Sequence, residues 1–214
     1  MEFLSQLAEL YADQFSSTES ADLAEINAQT HLLHPKAHML SGKIQGHFLR
    51  FISTMLQPTY ILEIGTFTGY SAICLAKGLA PGGALHTIEL REEDANVAAA
   101  NFSKFIQNKQ VTLHCGNALE IIDTLPHKWD LIFIDADKTA YIEYYEKLVP
   151  QLSEKGIILA DNVLFHGQVL ENPISGKNAK AIHRFNEHVK NDPRTEQVIL
   201  TIRDGITLIK KKFE

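Results

Sequence analysis

The chain has 214 residues, 45% hydrophobic and 21% charged, a composition typical of one globular domain with a full core. Its formal net charge of -6 argues against a nucleic-acid or membrane partner, because binding to polyphosphate requires clustered lysine and arginine. No apolar run approaches the length of a membrane span, and the N-terminus lacks the basic start of a secretion signal. These patterns predict a cytoplasmic protein.

The first 55 residues have a helical pattern that is interrupted near Pro35 and at Ser41 and Gly42. This region is too short to form a core of its own. We therefore expect two or three helices that cover the active edge of a sheet or form a dimer contact. The chain has no internal repeat or linker, which predicts a single domain, residues 1–214, with residues 1–55 as a helical extension.

From Tyr60 onward, short apolar runs alternate with longer amphipathic runs. The predicted strands are residues 60–64, 84–89, 111–115, 131–134, 156–160, 197–201 and 206–210. The predicted helices are residues 70–78, 92–107, 118–125 and 140–152. Only residues 203–205 separate the last two strands, which predicts an antiparallel hairpin. The expected fold is α/β, a Rossmann-like doubly wound sheet of seven mostly parallel strands with an antiparallel C-terminal hairpin strand.

A turn with two glycines follows the first predicted strand, in LEIGTFTGYS. Gly65 and Gly69 allow the backbone to turn sharply and to approach a ligand closely. The turn lacks the GxGxxG spacing of dinucleotide-binding proteins, and the charge of Glu63 would repel a pyrophosphate. Glu89 ends the second strand, at a distance from the turn where an acid commonly binds both hydroxyls of a ribose. The predicted ligand is an adenosine with a cationic tail, S-adenosylmethionine, with GNALE near its adenine.

Oxygen-bearing side chains follow two later strands that the expected topology makes neighbours. Asp135 follows the fourth strand, and Asp161 and Asn162 follow the fifth. Parallel strands lie about 4.8 Å apart, so these side chains can converge on one ion. The donors suit Mg²⁺, Mn²⁺ or Ca²⁺, and the remaining coordination positions could accept two adjacent hydroxyls of a substrate and one water.

Lys138 stands three residues after Asp135 and is a candidate general base, provided that the nearby cation lowers the pKa of its amine. The alternative is a structural ion pair between Asp135 and Lys138, with Asp161 and Asn162 in a turn. The two acidic motifs at neighbouring strand ends, beside a nucleoside site, favour the functional interpretation. Asp137 is expected to orient Lys138 or the edge of the substrate without contacting the metal.

The sequence resembles the cation-dependent class I O-methyltransferases, the family that contains the caffeoyl-CoA and catechol enzymes. The resemblance extends from about Met39 to the C-terminus, through MLSGKIQGHFL, LEIGTFTGYSAICLA, FIDADKTAYIEYYE and GIILADNVLFHGQV. It implies a metal bound to Asp135, Asp161 and Asn162, with Lys138 as catalytic base. It also implies a homodimer, a position for Met39 between donor and acceptor, and methyl-donor contacts from Ser41, Glu63, Gly65, Thr66, Ser71, Glu89, Ala118 and Asp135.

Three positions depart from the common pattern of this family. Asn117 stands where many members have an acid, and Phe165 stands where a tryptophan is common. His166 stands where the plant enzymes for CoA esters commonly have asparagine, and this chain lacks their insertion before the fourth strand. Phe165 and His166 are therefore candidate substrate contacts, and a small phenol with vicinal hydroxyls is the expected class of acceptor.

Other functional classes fit the sequence less well. A non-catalytic S-adenosylmethionine-binding protein could have this fold, but it has no need for metal ligands and a base. A nicotinamide dehydrogenase would require GxGxxG, and a nucleic-acid methyltransferase would require a basic face.

Histidines and cysteines give weaker signals. His31, His34 and His38 have spacings that resemble those of metal ligands, but Pro35 interrupts their helix, which favours surface or lid histidines. Cys74 and Cys115 lie in apolar stretches without CxxC spacing and are predicted to be buried, reduced thiols.

Overall fold

A computed structural model of the chain describes residues 6–106 and 111–212. Its strands are β1 (Tyr60–Ile64), β2 (Ala84–Glu89), β3 (Val111–Cys115), β4 (Trp129–Ile134), β5 (Leu152–Asp161), β6 (Thr195–Leu200) and β7 (Ile206–Lys211). Its α-helices are α1 (Gln6–Phe15), α2 (Ala21–Leu33), α3 (Gly42–Leu56), α4 (Tyr70–Ala76), α5 (Glu92–Phe105), α6 (Ala118–Ile122), α7 (Tyr141–Leu148) and α8 (Lys177–Asn191). No helix in these ranges is long and apolar enough to cross a membrane.

The chain divides into two compact units, one up to Ile121 and one from Ile122 onward. The prediction of a single domain stays a prediction. In the first unit, β1 pairs in parallel with β2, and β2 pairs in parallel with β3. β1 forms because its apolar residues are wholly or almost wholly buried, which stabilises a strand covered on both faces. The predicted N-terminal helices are present as α1, α2 and α3.

In the second unit, β4 pairs in parallel with β5, while β7 pairs antiparallel with both β5 and β6. The hairpin between β6 and β7 closes through a hydrogen bond from Gly205 N to Ile202 O, 2.9 Å long. The seven strands follow the order β3-β2-β1-β4-β5-β7-β6 in one sheet. This topology confirms the predicted fold class, with β7 as the one reversed strand in the described chain.

The structure corrects several predicted elements. No helix was predicted between the fifth and sixth strands, yet α8 forms there and buries Ala179, Ile182, Phe185 and Val189. Its apolar residues are spaced along one face among many polar residues, so the segment has no apolar run. The predicted helix 140–152 contains α7 and then a short 3₁₀ helix, Val149–Gln151, with Pro150 near its start. The last residue of the predicted helix 92–107, Gln107, lies outside the described residues.

The prediction for the two cysteines is correct for one of them. Cys74 is buried in α4, where burial raises the pKa of its thiol. Cys115 is exposed, so the prediction was wrong for this residue. The physical reason is that β3 is the terminal strand of the sheet, where side chains have neighbours on one side only.

Candidate active site

The turn between β1 and α4 has the sharp geometry that its two glycines predict. Gly65 has a φ of 99° and donates a hydrogen bond from its N–H to Ile88 O, 2.9 Å away. Gly69 has a φ of 87°, and a Cβ atom added there would lie 2.6 Å from the ring of Phe102. Glycine is therefore required at Gly69 by both backbone conformation and space.

Glu63 lies at the end of β1 and is completely buried. Thr87 donates its hydroxyl hydrogen to Glu63 Oε2 over 2.5 Å, so the hydrogen in its bond with Thr66 Oγ1 comes from Thr66. The chain of hydroxyls thus points its hydrogens toward the carboxylate. A buried negative charge with such support favours a cationic ligand nearby.

Glu89 ends β2 and is almost fully buried. Its Oε2 accepts a hydrogen bond from Phe67 N at 2.8 Å, and its Oε1 accepts one from Arg91 N at 3.0 Å. A carboxylate has about four acceptor positions, so two backbone amides leave capacity for two hydroxyl donors. Arg91 Nε also lies 3.6 Å from Oε1. The contact of Glu89 with the hydroxyls of a ribose stays a prediction.

His34, which the sequence placed at the surface or in a lid, contacts the residues around Glu89. Its Nε2 lies 2.8 Å from Asp94 Oδ1, and its Nδ1 accepts a hydrogen bond from Lys36 N at 3.1 Å. With Nδ1 as the acceptor from Lys36, Nε2 is the ring nitrogen that donates to Asp94 Oδ1. The ring also contacts Phe67 edge-on, with 4.6 Å between centroids. His31 and His38 are exposed.

The remaining predicted donor-site residues, apart from Asp135, also lie in the first unit. Ser41 is buried immediately before α3, and Met39 is 40% exposed in a 3₁₀ turn. Asn117 is used for helix capping, because its Oδ1 accepts a hydrogen bond from Leu119 N at the start of α6. Three further predicted donor contacts are buried: Thr66, Ser71 and Ala118.

The acidic motifs of the second unit lie at the ends of neighbouring parallel strands, as predicted. Ile134 of β4 pairs with Ala160 of β5, and the next residues along the two strands are Asp135 and Asp161. Asn162 follows with a φ of 57°, a left-handed conformation that asparagine tolerates well, and its N–H donates to Asp161 Oδ1 at 2.8 Å. Three oxygen-bearing side chains are thereby concentrated at one edge of β4 and β5.

Lys138 forms the ion pair that the sequence allowed as an alternative. Its Nζ donates to Asp135 Oδ1 at 2.8 Å and to the hydroxyl of Tyr141 at 2.7 Å. Burial acts to lower the pKa of Lys138, but attraction to Asp135, Tyr141 and Asp161 outweighs burial and raises it above the ordinary value. Lys138 is therefore an ammonium in this structure.

Asp137 caps the 3₁₀ helix Lys138–Ala140. Its Oδ1 accepts a hydrogen bond from Thr139 N at 3.1 Å, and its Oδ2 accepts one from Thr139 Oγ1 at 2.7 Å. This capping fixes the direction of the backbone where Lys138 begins the turn.

The loop after β5 carries the two predicted substrate contacts, Phe165 and His166. Both residues have positive φ angles, 43° and 55°. His166 is largely exposed, while its N–H donates to Asp204 Oδ1, 2.5 Å away in the hairpin between β6 and β7. Asp204 carries no signal in the sequence, because its contact with His166 spans 38 positions.

A different cluster, Glu146, His188 and Asp192, is the one group of three close potential metal ligands in the described part of the chain. The guanidinium of Arg194 donates hydrogen bonds to both carboxylates. This cluster already contains a cation and is not assigned as a metal centre.

Comparison with known proteins places the chain among methyltransferases. A sequence profile of the O-methyltransferase family matches residues 13–212. The chain is 30% identical over 206 residues to a caffeoyl-CoA O-methyltransferase of Stellaria longipes, covering 91% of this chain and 85% of the relative. It is 35% identical over 161 residues to a catechol O-methyltransferase of Niastella koreensis, covering 73% and 72% of the two chains.

The structure is also similar to that of the SAH-bound methyltransferase PaMTH1 of Podospora anserina. The TM-score is 0.91 at 29% sequence identity, over 98% of this chain and 95% of the other. Sequence and structure agree over almost the whole chain. The chain therefore belongs to the O-methyltransferase family and is an S-adenosylmethionine-dependent O-methyltransferase.

Proposed function

We propose that the chain methylates one hydroxyl of a small catechol-type or caffeoyl-type phenol with vicinal hydroxyls, with a divalent cation and Lys138 as general base. The observation that carries this proposal is the position of Asp135 and Asp161 at the ends of two paired strands, with Lys138 bonded to Asp135. The names of the two curated relatives support this class of acceptor.

The donor set fits a hard divalent cation. Asp135, Asp161 and Asn162 would bind it through two carboxylates and an amide, which are the ligand types of Mg²⁺, Mn²⁺ and Ca²⁺ in proteins. Asp161 is almost fully buried, so its negative charge is costly without a cation or strong hydrogen bonds nearby. When bound, the cation would supply charge stabilisation for the acceptor oxygens and would lower the pKa of the hydroxyl.

The methyl donor is assigned to the first unit. Glu89 would accept hydrogen bonds from the ribose hydroxyls, and the charge of Glu63 would favour the sulfonium over a phosphate. The turn at Gly65 and Gly69 would allow close approach of the backbone. Contacts from Ser41, Thr66, Ser71 and Ala118 complete the proposed donor set of this unit, and the donor contact expected of Asp135 stays a prediction.

Lys138 would accept the proton of the acceptor hydroxyl. The oxygen then forms a bond to the methyl carbon, the carbon–sulfur bond breaks, and its electron pair stays on sulfur to give S-adenosylhomocysteine. Lys138 Nζ donates a hydrogen bond to Asp135 Oδ1, and attraction to Asp135 raises the pKa of the amine. Asp135 would hold the cation, and a bound cation would offset this attraction and so lower the pKa of Lys138 toward that of a base.

A methyl-transfer assay over a panel of catechols and caffeoyl esters, with and without EDTA, tests this function. We expect EDTA to abolish transfer and Mg²⁺ to restore it. We expect Asp161→Ala to lose at least about 100-fold in kcat, because electrostatic stabilisation at a reacting centre is commonly of that size. Asp123→Ala, which changes an exposed acid paired with Lys147, is the matched control and should keep full activity. Full activity of Asp161→Ala, or of wild type in EDTA, would exclude the metal mechanism.

We further propose that the protein is a cytoplasmic homodimer. Supporting this, α1 exposes Leu7, Leu10, Tyr11 and Phe15, and α3 exposes Phe51 and Met55. Exposed apolar side chains are what stable subunit contacts bury.

A further inference from the structure

Tyr141 is the first residue of α7, and its ring is completely buried. Its hydroxyl lies 2.7 Å from Lys138 Nζ, 3.1 Å from Ile134 O and 3.0 Å from Asp161 O. The two carbonyls belong to the ends of β4 and β5. One hydroxyl group therefore contacts the candidate base and the backbone of both strands that carry the acidic motifs.

The direction of each hydrogen bond follows from the chemistry of the groups. A phenol has a single hydrogen, and carbonyl oxygens can only accept, so the hydrogen of Tyr141 is directed to Ile134 O and Asp161 O. The bond with Lys138 therefore has the amine as donor and the phenol oxygen as acceptor.

Two acceptors thus occupy two of the three N–H directions of Lys138. Asp135 Oδ1 accepts one and Tyr141 accepts the other, and no further protein partner of Nζ exists among the residues that the structure describes. The amine nitrogen has three N–H directions, so these two acceptors leave one position for a further group.

From this arrangement we propose that Tyr141 is a positioning residue for the methyl transfer, a role that rests on the proposed base function of Lys138. Tyr141 aligns the amine so that its one free position faces the incoming proton in every turnover. Because its own hydrogen is committed to the ends of β4 and β5, Tyr141 also fixes the amine relative to the backbone that carries Asp135 and Asp161.

The test replaces Tyr141 by phenylalanine and uses Tyr145→Phe as the matched control. Both tyrosines are completely buried in α7, and each hydroxyl forms hydrogen bonds with other groups. The hydroxyl of Tyr145 contacts Asp192 and Thr195 instead of the proposed site. The two variants thus remove the same atom from similarly buried positions, and loss of stability alone affects both.

We expect Tyr141→Phe to lower kcat by about 10- to 100-fold, since small displacements of a catalytic group have effects of that size. The KM for S-adenosylmethionine should stay within about twofold of wild type, because the donor-site residues of the first unit are unchanged. Rates are normalised to binding-competent protein, measured as the stoichiometry of S-adenosylhomocysteine by calorimetry, which removes any unfolded fraction. A crystal structure of metal-free Tyr141→Phe should show Lys138 Nζ displaced from its present position.

Lys138→Arg separates this inference from the proposed function. Arginine keeps the positive charge but is not a base near neutral pH. If Lys138→Arg is inactive and Tyr141→Phe shows the expected loss of kcat, the results support both the base function of Lys138 and the positioning role of Tyr141. An inactive Lys138→Arg with equal rates in Tyr141→Phe and Tyr145→Phe overturns the role of Tyr141 and leaves the base intact. Wild-type activity in Lys138→Arg overturns the base function and, with it, this inference.

Discussion

Glu89 shows at the residue scale how a carboxylate can be prepared for a ligand before the ligand binds. Both of its oxygens accept backbone N–H groups, from Phe67 and from Arg91. The side chain therefore has a fixed orientation before a donor molecule binds. Binding then costs no further side-chain entropy at this residue. The two backbone N–H groups thus also fix the direction of the acceptor positions that remain on the carboxylate.

Replacement of Glu89 by alanine should weaken binding of S-adenosylmethionine by about 10- to 100-fold, because hydrogen bonds to a charged group are lost. Metal affinity should not change, since the proposed metal ligands lie in the second unit. Calorimetric titration with S-adenosylhomocysteine and separately with Mn²⁺ measures both quantities. Glu93→Ala, an exposed acid of the same region, is the control. Donor affinity equal to wild type in Glu89→Ala would remove the ribose role.

Individual site residues differ in how far the sequence predicts them. Asp135, Asp161 and Glu89 are predictable because each lies at a strand end, and parallel strands direct such ends to one edge of the sheet. The contact of His34 with Asp94 is not predictable in this way, because it joins residues 60 positions apart whose meeting depends on the packing of α2. The spacing also indicated the pair of Lys138 with Asp135, but the hydrogen bond of Lys138 with Tyr141 was not predicted.

At the scale of elements, the bounds of β1, β2 and β3 agree with their predicted ranges. At least half of the residues in each strand are apolar, and a glycine adjoins each strand at one end. β5 begins at Leu152 instead of residue 156, because its first residues, LSEK, have a polar pattern that does not suggest a buried strand. α8 was missed because its apolar positions are separated along the chain and become a surface only in the helix.

The hairpin between β6 and β7 depends on Gly205. Its φ is 83°, and an added Cβ would lie 2.5 Å from Leu164 Cγ. We expect Gly205→Ala to lower the free energy of unfolding by about 2–4 kcal/mol, through backbone strain and overpacking together. Gly82→Ala is the matched control, because Gly82 has a φ of 79° but open space around its Cβ position, so only strain of about 1 kcal/mol applies. Urea unfolding measures the free energy of unfolding of the two variants. Equal losses of stability in Gly205→Ala and Gly82→Ala would show that Leu164 does not restrict the hairpin.

The segment that joins α8 to β6 contains an ion pair that makes stability depend on pH. Hydrogen bonds from Arg194 hold the pKa of Asp192 far below its ordinary value, and this effect outweighs burial. A carboxyl whose pKa is lower in the folded state adds stability above its unfolded pKa, and this stability is lost as pH falls toward the folded pKa.

Asp192→Asn should therefore destabilise the protein by about 2 kcal/mol at pH 7, the size typical of a paired carboxylate with a depressed pKa. The difference from wild type should narrow by about 1 kcal/mol at pH 3, where the unfolded carboxyl is mostly protonated. Urea unfolding at the two pH values measures this, with the exposed-acid variant Glu196→Gln as control. A difference that stays constant with pH would contradict the assignment of the shift to Asp192.

At the scale of the whole molecule, α1 has an apolar face that the described structure leaves exposed. Leu7 is 76% exposed and Leu10 is 66% exposed. If this face forms the proposed homodimer contact, Leu10→Glu should convert a dimer into a monomer, because an unpaired charge in an apolar interface is strongly unfavourable. Light scattering after size exclusion measures the mass, and Val97→Glu, at an exposed position of α5, is the control that should stay dimeric. A monomeric wild type would contradict the proposal directly.

Because Phe165 and His166 are the predicted acceptor contacts, the contact between Asp204 and His166 bears on how the proposed range of acceptors could be changed. Asp204 accepts a hydrogen bond from the N–H of His166. The side chain of Leu164 fills the space beside Gly205, so a larger residue at either position would clash with the other. The effect of a substitution at residues 164–166 will therefore depend on which residues occupy positions 203–205. A mutant library for new acceptors should randomise the two triplets as one block, because beneficial combinations would be lost if each loop were screened separately.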